Sequence, residues 1–233
     1  FEDDLMRNFA DSRKLAALMT RFGMKDDEEL ESPLLNRSVE GAQKRVEQRN
    51  YMIRKHTLQY DDVLNNQRTV IYDFRNEILH AENPRPQLLE VVADVVQQQA
   101  QKSFAAGNDR EEYLGWANTT FPVQLTAEEI SACDTADALA KTTLDRVQSA
   151  YGLKTQFEEP AAITFLERYM MLSAVDRFWQ EHLYAMDGLR QGISLRAYGQ
   201  KDPLVEYKQE AFNMFDEMMV RIKQQIAENV FRS

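Results

Sequence analysis

Apolar positions recur along this chain at intervals of three, four and seven, and almost nowhere in strict alternation, so the pattern predicts helices and no sheet. The longest run lies between Pro33 and about Ala81, where one glycine, Gly41, and no further proline occur. Val39, Ala42, Val46, Ile53, Tyr60, Val63, Val70, Phe74 and Ile78 recur along it, which predicts one helix with a face buried over most of its length. Ser32 is suited to cap the first free amides, and Pro33 fits the first helical position, where its missing N–H has no partner to lose. Asn83, Pro84, Arg85 and Pro86 end the run, because prolines remove donors and push the preceding residue toward extended backbone. At about 1.5 Å per residue the helix spans roughly 70 Å, more than a compact domain needs to close its core. It reads as a strut.

The remaining pattern divides around that strut. Leu5, Met6, Phe9, Leu15, Leu18, Met19 and Phe22 predict a helix over residues 1–22, opened by Glu2, Asp3 and Asp4 and ended by Gly23. Leu88, Leu89, Val91, Val92, Val95 and Val96 predict another from Gln87 to Ala106. Asp109 with Glu112, and Thr126 with Glu129, each match a cap followed by an acid three residues on, and a further helix is predicted from Thr135 to Tyr151, closed by Gly152. Residues 83–159 therefore read as a small helical subdomain with its own core. Phe165, Tyr169, Leu172, Val175, Trp179, His182, Met186 and Leu189 form a stripe on a helix starting at Pro160. Tyr207, Ala211, Met214, Met218, Ile222 and Ile226 form one on a helix capped by Asp202 and started by Pro203. These two helices make an antiparallel hairpin. Its loop, Gly188 to Asp202, carries Ile193, Leu195 and Tyr198 among the cations Arg190, Arg196 and Lys201. From the residues alone this loop is either a connector folded back on the helix ends or an exposed tip that touches extended polypeptide.

The fold class that follows is all-α: a long scaffold helix packed against an antiparallel two-helix hairpin, with an inserted helical subdomain. The expected division is 1–82, 83–159 and 160–233. With 233 residues, 43% hydrophobic, the chain is large enough to bury a substantial core. Its net charge of −10 argues against a nucleic-acid surface, which relies on clustered cations. Residues 82–159 hold 13 acidic and six basic side chains, so most of the imbalance sits in the middle segment. Cys133, the single cysteine, forms no intrachain disulfide, and a reducing compartment is the simpler expectation. No apolar run approaches the roughly 20 residues that cross a bilayer. The chain starts at Phe1, without methionine, inside an amphipathic pattern, which points to a piece of something longer.

Chemistry is hard to find. The chain has no phosphate-binding glycine loop, and His56, His80 and His182 lie far apart. Glu181 and His182 are adjacent on a helix and diverge by about 100°, too far to share one metal, so no metal site is expected. Asp61 and Asp62 diverge likewise and make a poor acid–base pair. Within HTLQYDDVLNNQR, His56 to Arg68, the plain reading is a solvated face with ion pairs, the sharper one a polar contact from Asp61 or Asp62 to another domain.

Three stretches carry a family resemblance. FEDDLMRNFADSRKLAALMTRFGMKDDEELESP at the start, QKRVEQRNYMIRKHTLQYDDVLNNQR on the strut and RFWQEHLYAMDGLRQGISLRAYGQKDPLVEYKQEAFNMF near the end resemble the C-terminal part of SecA, the bacterial ATPase that drives unfolded preproteins through a membrane channel. The likeness covers roughly residues 1–80 and 160–230, with the middle only weakly similar. It implies that the strut is the family's helical scaffold, the middle segment its wing and the hairpin its two-helix finger. The fingertip residues it implies are Ile193, Leu195, Arg196, Tyr198 and Lys201, with Tyr198 in RAYGQKD as the polypeptide-contacting tyrosine. It also implies a motor-coupling face of Arg54, Tyr60, Asp61, Asp62, Gln67 and Arg68, and finger packing through Trp179. ATP and Mg would belong to nucleotide-binding domains lying before Phe1, so no catalytic residue and no cofactor are carried over to these residues, which should not hydrolyse ATP. The implied partners are unfolded preprotein, the SecYEG channel and the motor domains, at the inner face of the bacterial plasma membrane; an anionic membrane surface and a homodimer stay open, and nucleic acid is not expected. Two rivals stand beside this reading. A coiled-coil interaction module would need sustained heptads that the acidic middle and the prolines interrupt. An autonomous enzyme would need a cluster of reactive groups.

Overall fold

A computed structural model describes residues 33–105, 109–196 and 202–232, and for 33–36, 38 and 194–196 the backbone alone. The helix expected over 1–22 and its link, Ser32 included, lie outside the described residues. Among the described residues the only regular structure is helical, in seven elements: α1 Pro33–His80, α2 Arg85–Ala105, α3 Arg110–Thr120, α4 Ala127–Ser131, α5 Ala136–Thr155, α6 Pro160–Arg196 and α7 Pro203–Asn229. The chain divides into two compact units, residues 1–62 and 63–233.

In the first unit the described residues are the opening part of α1. Ala42 and Tyr60 are buried there, whereas Tyr51, Met52, Ile53 and Leu58 are exposed. His56 and Tyr60, one turn apart, bring their rings to 4.8 Å. The continuous buried face expected on this helix is therefore interrupted at Ile53.

In the second unit, α6 runs beside α7, and α2 packs against both α5 and α7. A single apolar core extends from Ile71 and Ile78 of α1 through Leu88, Val92 and Val96 of α2, Leu139 and Val147 of α5 and Met171 and Val175 of α6 to Ile222 and Ile226 of α7. The middle segment thus shares one core with the hairpin instead of closing its own. The reason is α2: its run of valines buries two sides of the helix, one for α5 and one for α7. Lys223 reinforces the second contact with a 2.6 Å bond to Asp94.

Local signals hold at most helix starts. Asp109 accepts from the Glu112 amide, Thr126 and Glu129 form a reciprocal capping box, Thr135 accepts from Ala138, and Asp202 accepts from Leu204 ahead of Pro203. Asn118 braces the turn before α4: its amide donates to the Leu125 carbonyl and its oxygen accepts from the Leu125 amide, across Gln124 at a left-handed φ of 48°.

Three expectations need correction. Gly152 does not end α5, which continues to Thr155, because Tyr151 is buried and bonded at 2.7 Å to Glu167, and this anchors the turn that glycine weakens. The stripe on α6 holds at Val175, Trp179, His182 and Met186, all buried, but fails at its start: Phe165 and Tyr169 are 68% and 60% exposed, while Ile163, Glu167, Met170 and Met171 go inward. Near the start of α6 the inward side chains sit one to two positions away from Phe165 and Tyr169, and a shift of one position turns a helical residue by about 100°. The loop expected from Gly188 is also shorter, since α6 runs on to Arg196 with Gly188 and Gly192 inside it. Glycine costs a helix about 1 kcal/mol without stopping it, and here Ile193 is buried to offset that cost.

Candidate functional site: the junction of strut and hairpin

The site is built where α1, α6 and α7 meet, inside the second unit. On α1 the buried positions Gln67, Ile71 and Ile78 are four and seven residues apart, so they share one seam, and a polar residue occupies its first place. Gln67 donates from Nε2 to the backbone carbonyl of Ala211 on α7 at 2.9 Å. That fixes the amide orientation and leaves Oε1 to accept, 2.9 Å from His182 Nε2 on α6. The imidazole therefore carries its proton on Nε2. One side chain links three helices, and each of its bonds is buried.

Aromatic rings close around the link. Trp179 is 7% exposed, stacks on His182 with ring centres 5.6 Å apart, and meets the edge of Tyr72 from α1 at 6.4 Å. Phe215 of α7 approaches His182 edge-on at 5.8 Å. Beside the rings, Arg75 donates to both carboxylate oxygens of Asp176, at 2.8 and 3.5 Å. The two helices of the hairpin are tied at Glu181, which accepts from Arg177 and from Arg221 of α7, each at 3.1 Å. Arg221 also lies 4.6 Å over the Phe178 ring, and a groove of about 180 Å³ runs between α6 and α7 alongside.

At the far end of α1 the connection continues. Arg168 donates to the Ala81 carbonyl at 2.6 Å, and Arg85 of α2 donates at 2.8 Å to Glu167, so α6 grips the turn between α1 and α2.

Burial lowers the pKa of His182 below the ordinary histidine value of about 6.5. The unfolded chain then binds a proton that the folded chain resists, so this contribution to stability is complete above about pH 6.5 and is lost as pH falls below it. Denaturation curves over that range are expected to show the wild-type chain weakening with acid more steeply than a His182→Gln variant. Parallel slopes would mean that the imidazole is not held neutral.

The sequence-derived site residues fall in different places. Gln67, expected on an outward coupling face, points inward and is spent on His182 and Ala211; an amide can leave a helix surface only for partners that satisfy both its ends, and the hairpin supplies them. Arg68 is exposed and bonds Asn65 one turn away at 2.9 Å. In the first unit Arg54 and Asp62 are exposed, Asp61 is half-buried and Tyr60 is buried. Ile193 is 2% exposed within wound helix, so it is not presented at a tip in this state. Leu195 and Arg196 belong to the backbone of α6, their side chains outside the described residues, and Tyr198 and Lys201 lie outside them altogether. Helical spacing puts both Trp179 and His182 on the buried stripe of α6 but does not link them to Gln67; a histidine within an apolar stripe is the signal in the sequence that a buried polar partner is needed. Among the described residues no group of three or more His, Cys, Asp or Glu side chains could hold a metal ion. Among them, too, no helix is long and apolar enough to cross a membrane.

The family model described as the SecA wing and scaffold domain matches residues 29–233. This chain belongs to the SecA family. It is 41% identical over 236 residues to the protein translocase subunit SecA of Heliobacterium modesticaldum, with 99% of this chain and 28% of that protein covered. It is 38% identical to the SecA of Chloroflexus aurantiacus, with 98% and 23% covered, and 40% identical to that of Syntrophobacter fumaroxidans, with 99% and 28% covered. The chain spans about a quarter of the length of these curated SecA relatives. The helices described above are the wing and scaffold part of the SecA family.

Proposed function

We propose that this chain serves as the transmission of a SecA-type preprotein motor. Movement generated by ATP and Mg in nucleotide-binding domains elsewhere in the full-length protein enters through α1 and leaves through the hairpin. In this reading residues 1–82 form the scaffold, 83–159 the wing and 160–233 the finger and the end of the scaffold. The observation that carries the reading is the bridge at Gln67: bonded at once to both helices of the hairpin, it lets a displacement of α1 reach α6 and α7 together instead of shearing one past the other. Arg54, Asp61, Asp62 and Arg68 are the α1 residues offered to the motor domains, Tyr60 being buried. Leu195, Arg196, Tyr198 and Lys201 are the residues offered to the moving polypeptide, an aromatic ring giving apolar contact without demanding a sequence and the cations long-range attraction.

The relatives are named protein translocase subunits, which supports this use. In this reading the partner is the SecYEG channel and the place of action the inner face of the plasma membrane. A photo-crosslinker at Tyr198 of the full-length protein is expected to capture preprotein during transport, and Tyr198→Ala to slow transport while ATP turnover and helix content persist. Capture only at distant surface positions would remove the tip from the mechanism. An equal loss of all three properties would assign Tyr198 to folding.

A further inference from the structure

Gly188 and Gly192 sit one turn apart in the last part of α6, the first exposed and the second half-buried. Neither is there for space or for backbone shape. A Cβ built on either meets no atom within 4 Å, and neither adopts the positive φ that excludes other residues. What remains is glycine's effect on the helix itself: it loses more conformational freedom on winding than any other residue and is weaker than alanine at each helical position. Two such positions near a helix end, where turns already open most readily, weaken the same short segment. Against this, Ile193 is buried in the wound state and holds the segment closed.

We propose that the distal segment of α6, Gly188–Arg196, is a helix–coil switch, wound with Ile193 buried and opened by unwinding at the glycine pair. Opening replaces a rise of about 1.5 Å per residue by up to about 3.3 Å, so the nine residues gain as much as about 16 Å of reach. It also releases Ile193, adding an apolar side chain to the part of the hairpin assigned to polypeptide contact. The use of the switch rests on that proposed contact role; its existence does not.

Hydrogen exchange on the full-length protein tests it. Gly188→Ala with Gly192→Ala is expected to slow amide exchange over residues 189–196 roughly twenty-fold, four- to five-fold for each substitution, without altering residues 205–229 of α7. Ile193→Ala is expected to speed exchange in the same segment by more than ten-fold. Unchanged exchange in the double alanine variant, or slowing shared equally by α7, overturns the switch. Crosslinking from Tyr198 in the same variants separates the two ideas. No preprotein captured in the otherwise unaltered protein overturns the contact role and leaves the exchange result standing, whereas capture and transport indifferent to the double alanine change overturn the use assigned to the switch.

Discussion

Replacing Trp179 with alanine lowers the unfolding free energy by about 3–5 kcal/mol, the range for truncating a large buried aromatic in a core that closes only partly over the gap. Its position at the junction argues for the full effect. The indole is buried between α1 and the hairpin, stacked on His182 and edge-on to Tyr72, and its removal leaves the Gln67–His182 bond beside a cavity. A buried hydrogen bond opened to such a gap loses the dry surroundings that strengthen it. Trp179→Phe keeps a ring in place and is expected to recover most of the loss. Chemical denaturation with the midpoint and slope fitted separately checks this, and an alanine variant within about 1 kcal/mol of the parent would show that the ring does not hold the helices together.

The second large effect lies at the turn between α1 and α2. Glu167 is 1% exposed, and the same carboxylate oxygen accepts from Arg85 at 2.8 Å and from the Tyr151 hydroxyl at 2.7 Å, joining α2, α5 and α6. Arg85 also lies 5.3 Å over the Tyr151 ring. Burial first, and then the bond to Glu167, push the Tyr151 hydroxyl well above its ordinary pKa, so it remains a donor. Arg85→Met leaves the carboxylate buried with one neutral donor. Because the Arg85 side chain is 36% exposed and water can take part of its place, the expected loss is about 3 kcal/mol, the low end for a buried ion pair broken on one side. Changing all three groups together, Arg85→Met, Glu167→Leu and Tyr151→Phe, removes the charge along with its partners and is expected to come back near the parent, since apolar residues of similar volume commonly replace buried ion pairs without loss. Denaturation of the single and triple variants side by side decides the matter. A triple variant as unstable as the single one would mean that the network does more than neutralise its own buried charge.

Both effects bear on what a coupling element requires. A helix that passes displacement to its neighbours needs contacts that are rigid where they meet and costly to open. The junction supplies these at the buried Gln67 and Trp179, and the turn supplies them at the buried Glu167. The end of α6 is the reverse case, a segment whose winding is weakened by two glycines and opposed in its opening by the burial of Ile193.

Helix class, the extent of α1 and the caps at Asp109, Thr126 and Asp202 were determined by the sequence alone, because each depends on residues within a turn or two of one another: a side-chain oxygen and a nearby amide, a proline at a helix start, apolar spacing along one face. The pairing of α6 with α7 was legible as well, from two apolar stripes joined by a short loop. The family likeness was legible too, in long stretches and not in any single residue. Spacing also placed the inward face of α7, where Tyr207, Ala211, Met218, Ile222 and Ile226 are buried, but the positions that depart from a predicted stripe were decided only by tertiary structure. Periodicity places apolar residues on a stripe but does not weigh that stripe against a polar group whose partners come from far along the chain, and so Gln67 and Glu167 went inside while Val70, Phe165 and Tyr169 stayed out. Gln67 is 115 residues from His182 and 144 from Ala211, and no local rule assigns partners at such separations. The same holds where helices end: Gly152 and Gly188 read as stops because glycine weakens a helix, and only the burial of Tyr151 and Ile193, set by helices elsewhere in the chain, made winding past them favourable.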